Sequence, residues 1–146
     1  MLINLMLGLP TMVLCLMLQT GLLVVVIRYY LKRQNKVNMA SLRSSLLVIN
    51  GVMLLLVIGN LGQIAIWALL FRVLGEFQQF DAAFYHSAVN FGSLGYGDIV
   101  MSEQHKLLGA LEAINGVLMI GVSTAALMST FQSATKKFIA ARGRGR

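Results

Sequence analysis

Residues 93–98 read Ser-Leu-Gly-Tyr-Gly-Asp, and the chemistry they offer lies in the backbone more than in the side chains. Glycine at 95 and 97 lets alternate residues take backbone angles denied to residues that carry a Cβ. Such an alternation turns successive carbonyl oxygens toward one axis. Oxygens ringed about an axis replace the water shell of a cation. Cation ligation by main-chain carbonyls is therefore the chemistry to be positioned.

The rest of the chain is suited to a bilayer. It has 146 residues, of which 58% are hydrophobic and 12% charged, with a mean hydropathy of +0.77. A soluble domain carries about 25% charged residues. Crossing a bilayer takes roughly 20 consecutive apolar residues. Met1–Ile27 and Ser44–Phe71 contain no charge, and Leu107–Thr135 contains only Glu112. A fourth apolar stretch, Phe80–Gly97, includes Asp81, ends in glycines and is too short to cross. The first stretch has no Lys or Arg before Arg28, which argues for a retained helix rather than a cleaved leader. Cys15 is the only cysteine, so an intrachain disulfide is excluded and a buried structural thiol is expected.

The net charge of +7 does not point to nucleic acid, because of where the charge lies. Most basic residues fall in two clusters, Arg28, Lys32, Arg33, Lys36 and Arg43, then Lys136, Lys137, Arg142, Arg144 and Arg146. All acids lie between Glu76 and Glu112. With three spans, both basic clusters share one side of the membrane, and the positive-inside rule makes that side cytoplasmic and the N-terminus external. The same clusters suit anionic lipid headgroups.

The first helix is expected from Pro10 to Arg33, followed by a basic linker over 34–44. The second runs to about Phe77, with Gly51, Gly59, Gly62 and Ala65 as close-packing positions. Asp81 is expected to cap a short helix, Ala82–Phe91. Ten residues of helix extend about 15 Å, roughly half the hydrocarbon thickness, so the chain must return to the outside as irregular backbone. At that depth such backbone is tolerated where it lines a water- or ion-filled path. The short helix and residues 93–98 thus read as a re-entrant loop. Arginine does not recur every third residue within a span, which argues against a voltage-sensing helix. No nucleophile–base pair, metal-ligand cluster or nucleotide loop is evident, so neither an enzyme nor an organic cofactor is expected.

A short helix, then Ser-Leu-Gly-Tyr-Gly-Asp, then a long helix reading LLGALEAINGVLMIGVSTAAL resembles the pore domain of tetrameric potassium channels. The family's filter, Thr-Val-Gly-Tyr-Gly, is the standard example of carbonyl ligation of potassium. Gly95, Tyr96, Gly97 and Asp98 match it outright, and Ser93 and Leu94 are conservative departures. The resemblance covers about residues 45–135. It implies an all-α membrane protein: three transmembrane helices with a re-entrant pore helix and selectivity-filter loop, assembled as a homotetramer because one loop supplies a quarter of the ring. In these terms 1–33 is an extra N-terminal helix, 45–135 the pore domain and 136–146 a basic cytoplasmic tail. The implied function is passive potassium conduction in a multi-pass protein of a bacterial inner membrane. Ser93, Leu94, Gly95, Tyr96 and Gly97 would form the filter, the first four coordinating potassium through carbonyls, aided by the Ser93 hydroxyl.

The departures mark positions to inspect. Serine at 93 lacks the methyl that restricts threonine's rotamer, and Gly92 stands where the family has a second threonine. Val89 replaces a glutamate that holds the outer aspartate in some relatives; the resemblance also matches Tyr85 to a position where relatives have a tryptophan that bonds this aspartate, which implies the Tyr85 hydroxyl as candidate partner of Asp98. His86 reads as a packing residue, with a proton sensor as the alternative, and Glu112 as partner of Arg72, Lys106 or the pore-helix backbone, with direct ion contact as the alternative. On the last helix Gly121, Ala125 and Ser129 form a small-residue stripe. Gly116, Ile120, Thr124, Leu127 and Phe131 form another face, assigned to the pore with Gly116 as hinge and Leu127 and Phe131 as its cytoplasmic constriction. The alternatives are that this face packs on the second span and that Gly121 is the hinge. At the level of function, the alternatives are a weakly selective cation channel and a non-conducting membrane adaptor.

Overall fold

A computed structural model of the chain describes residues 1–36 and 42–143. Residues 37–41 of the basic linker and Arg144–Arg146 of the tail lie outside the described residues. The described chain forms four helices: α1 (Leu2–Lys36), α2 (Leu42–Val73), α3 (Phe80–Phe91) and α4 (Lys106–Gly143). No strand occurs among the described residues. Leu2–Arg33, Arg43–Val73 and Lys106–Ala140 are each long and apolar enough to cross a bilayer. The protein is thus an all-helical, multi-pass membrane protein.

The helix limits differ from the sequence expectation in instructive ways. α1 begins at Leu2 and runs through Pro10 instead of starting there. Proline has no N–H for the carbonyl one turn back. The Thr11 hydroxyl donates to the Leu7 carbonyl (2.8 Å) in the same turn, the kind of local bonding that lets membrane helices carry proline. α2 stops at Val73 rather than near Phe77, closed by Gly75 at φ +77°. The Gly75 N–H bonds the Arg72 carbonyl and the Glu76 N–H bonds the Phe71 carbonyl, the paired bonds of a Schellman cap with glycine at its left-handed position.

α3 starts at Phe80, and its N-cap is the extended Gln79, with no side-chain capping bond. Asp81 instead sits in the first turn, where its charge still meets the positive end of the helix.

Contacts divide the molecule into two compact units. One comprises 1–19 and 59–120: the start of α1, the end of α2, all of α3, the following loop and the start of α4. Cys15, Trp67, Phe71, Phe91, Leu108 and Met119 form its core. Gln63 Nε2 on α2 donates to Gln19 Oε1 on α1 at 2.8 Å, inside that unit. Lipid tails are as apolar as leucine, so packing and interhelical bonds of this kind hold helices together in a bilayer. The other unit comprises 20–58 and 121–146, and there Val26, Val48, Val52 and Leu56 pack with Tyr29 and Leu127.

Candidate functional site

Residues 92–99 follow directly from the end of α3, and that helix end sets their path. Gly92 is the C-cap, at φ −76° and ψ −2°. The Ser93 N–H bonds the Asn90 carbonyl and the Leu94 N–H bonds the Val89 carbonyl, both at 2.8 Å. This repeats the Schellman pattern that ends α2, but the left-handed residue is now Ser93, at φ +54°. A side-chain-bearing residue there costs about 1–2 kcal/mol relative to glycine. Gly95 (φ +60°) and Gly97 (φ +72°) continue the alternation, with Leu94 and Tyr96 between them outside the left-handed region. The alternation expected from two glycines therefore spans three positions. Ser93 was read for its hydroxyl, but its backbone is the departure of greater consequence.

Leu94 and Tyr96 are 57% and 66% exposed, so a single chain does not cover this loop. What holds it lies on α3. The Tyr85 hydroxyl donates to Asp98 Oδ2 at 2.7 Å. That bond keeps the Asp98 carboxyl below its ordinary range and pushes the Tyr85 hydroxyl above its own.

Next to Tyr85, the His86 Nδ1 lies 2.9 Å from the Ile99 carbonyl, and its Nε2 lies 2.9 Å from Asn90 Nδ2. A carbonyl only accepts and the amide nitrogen only donates, so the network assigns a neutral imidazole with its hydrogen on Nδ1. The ring packs 5.0 Å from Phe77 and 5.7 Å from Phe71 between centroids. Two adjacent residues of α3, Tyr85 and His86, thus tie down the adjacent loop residues Asp98 and Ile99.

Sequence reading missed a second set of ties. Glu76, just past α2, accepts from the Ser102 N–H (2.7 Å) and the Ser102 hydroxyl (2.6 Å), and lies 2.5 Å from His105 Nδ1. Burial raises the Glu76 carboxyl, but the Ser102 donors and His105 outweigh it and leave the group below its ordinary range. Asn4 Nδ2 on α1 donates to the Gln104 carbonyl at 2.8 Å. The returning loop is therefore anchored to α1 and α2 as well as to α3. The i, i+4 spacing of His86 and Asn90 was the one signal in the sequence that could have revealed part of this.

Beneath the loop, α4 meets α3 closely. A Cβ placed on Gly116 would lie 2.0 Å from the Phe91 carbonyl oxygen, a backbone atom that cannot step aside. Ser87, fully buried, sets its Oγ 2.8 Å from the Ile64 carbonyl of α2 and in hydrogen-bond contact with Glu112 of α4. Glu112 was expected to meet Arg72, Lys106 or the pore-helix backbone; its partner is the Ser87 side chain of α3, and Lys106 pairs instead with Glu103.

A family model described as an ion channel matches residues 52–133, more than half of the chain. The chain belongs to the ion channel family. The match is to pore domains of the two-span potassium-channel type, and it runs from α2 through α3 and the loop into α4. Comparison with curated proteins and with solved structures gives no match.

In this channel chain the five residues assigned to one face of α4 meet different surroundings. Gly116 is buried against Phe91, and Leu127 packs with Tyr29 and the valines of α1 and α2. Ile120, Thr124 and Phe131 are exposed, as are Gly121, Ala125 and Ser129 of the small-residue stripe. The buried residues of α4 in the unit that holds the loop are Leu108, Glu112, Asn115, Gly116 and Met119.

Proposed function

We propose that this channel conducts potassium passively and selectively, through a filter made by residues 93–97 of four identical subunits. The observation that carries the reading is the run of left-handed residues at 93, 95 and 97, which turns intervening carbonyls to one side directly beyond the C-terminus of α3. That helix end carries partial negative charge, which favours a cation at the same place. One loop cannot surround an ion, and the exposure of Leu94 and Tyr96 in the single chain fits burial by neighbouring copies. Under this reading the carbonyls of Ser93, Leu94, Gly95 and Tyr96 are the ligands, Gly97 completes the filter, and Tyr85 and Asp98 brace its outer end.

The remaining assignments follow from the same reading. Ile120, Thr124 and Phe131 are placed toward the pore, with Phe131 as a hydrophobic constriction, and Gly116 acts through close packing more than as a hinge. The basic linker and tail face the cytoplasm and anionic lipid, and a bacterial inner membrane is the proposed location. Potassium is the permeating ligand, and no organic cofactor is assigned.

A weakly selective cation channel is the second reading, favoured by the strained backbone at Ser93. Native mass measurement in mild detergent, paired with potassium efflux from liposomes, tests the proposal. Four copies and barium-blockable efflux are expected. A folded tetramer without flux in any condition would favour a non-conducting adaptor.

A further inference from the structure

The contacts around Ser87 fix a proton count. A serine hydroxyl owns one hydrogen, and a backbone carbonyl accepts but never donates. Ser87 Oγ lies 2.8 Å from the Ile64 carbonyl oxygen, so that contact uses the serine's hydrogen. The contact between the same Oγ and a carboxyl oxygen of Glu112 then needs a hydrogen from Glu112. Were Glu112 ionised, the one hydrogen would turn to the carboxylate. The Ile64 oxygen would then face the serine's lone pairs at 2.8 Å.

The surroundings point the same way. Glu112 is fully buried, and among the described residues its Oε2 has no hydrogen-bond partner. An ionised carboxylate left with a bare buried oxygen is far costlier than a neutral acid. Among the described residues the ion pairs are His105–Glu76 and Lys106–Glu103, and neither includes Glu112. Of the helices around it, α1 brings the Cys15 thiol, while α3 brings Ser87 and Asn90. α2 brings the Ile64 carbonyl through Ser87, and among the described residues no cation of these helices pairs with Glu112.

We infer that Glu112 is a buried proton-binding site: a neutral carboxylic acid whose hydrogen, donated to Ser87, joins α4 to α3 and, through the Ile64 carbonyl, to α2. Loss of that proton turns the serine's hydrogen to the carboxylate, breaks the link to the Ile64 carbonyl of α2 and leaves a charge behind the helix that carries residues 93–97. The inference does not depend on which ion the channel passes.

Infrared difference spectroscopy of the full chain in lipid at neutral pH tests it directly. The wild type should show the carbonyl-stretch band of a protonated carboxyl group, absent in Glu112→Gln, whose amide can still donate to Ser87. Ser87→Ala should keep the band but move it to higher wavenumber, because the acceptor is gone. Isotope labelling of glutamate supplies the assignment should Glu112→Gln fail to assemble. No glutamate-derived protonated band in assembled wild type would overturn the inference. A band unmoved by Ser87→Ala would overturn its link to α3.

Discussion

Tyr85 and Asp98 are joined hydroxyl to carboxylate across 2.7 Å, so α3 holds the far end of the very loop that it launches. The bond keeps Asp98 ionised below the ordinary carboxylate range. A carboxyl with a lowered folded value contributes its link fully above that ordinary range, and loses it as pH falls through the lowered value.

Tyr85→Phe removes the donor and leaves the ring. Channel activity should then run down several-fold faster than in wild type at neutral pH, measured as current decay in lipid bilayers. Wild type should approach the same behaviour on external acidification, and the variant should change little. A variant indistinguishable from wild type at both pH values would separate this bond from the stability of the loop.

Glu76 carries a second acid-sensitive tie. Its carboxyl also lies below the ordinary range, so its bonds to Ser102 and His105 stabilise the protein above that range and are lost as pH falls through the lowered value. Hydrogen bonds to a charged group contribute about 1.5–3 kcal/mol. Glu76→Gln should lower stability by roughly that amount at neutral pH and flatten the acid side of a thermal-stability profile. An unchanged acid limb would show that other groups set it.

Serine at 93 sits where the backbone favours glycine. Sequence comparison alone makes Ser93→Thr look like an improvement, since threonine restores a stiffer hydroxyl. The left-handed backbone reverses that expectation for stability, because β-branched residues at positive φ are strained. Ser93→Thr should cost about 1–2 kcal/mol, and Ser93→Gly should be tolerated. Thermal unfolding of the two variants decides, and a more stable threonine variant would mean that residue 93 leaves the left-handed region in the assembly.

Gly116 is a contact, and the contact is with backbone. Gly116→Ala drives a methyl into the Phe91 carbonyl, and overpacking of this kind costs about 1–3 kcal/mol. Assembly yield and thermal stability should both fall, with Gly116→Val worse. Normal assembly of the valine variant would require a looser approach of α4 to α3.

Much of this was legible in the sequence. Long apolar runs with at most one charge marked all three spans, because the bilayer sets a length that composition alone reveals. Gly95 and Gly97 marked two of the three left-handed backbone positions in residues 93–98. Helix ends were less legible, since Pro10 reads as a start and Asp81 as a cap, while the chain used Leu2 and Gln79. The partners of Glu112, Glu76 and Gln19 were hidden for a simple reason. Ser87, Ser102 and Gln63 lie 25, 26 and 44 residues away from them, and only the folded chain brings such distant polar groups together.

The central claim is potassium selectivity at residues 93–97, and reversal potentials of single channels between potassium and sodium solutions test it most directly. The account predicts a strong shift toward the potassium equilibrium potential in wild type, reduced by Ser93→Ala, each tenfold of preference corresponding to about 1.4 kcal/mol. A reversal potential near zero in open wild-type channels, unaltered by substitutions at Ser93 and Gly95, would contradict it.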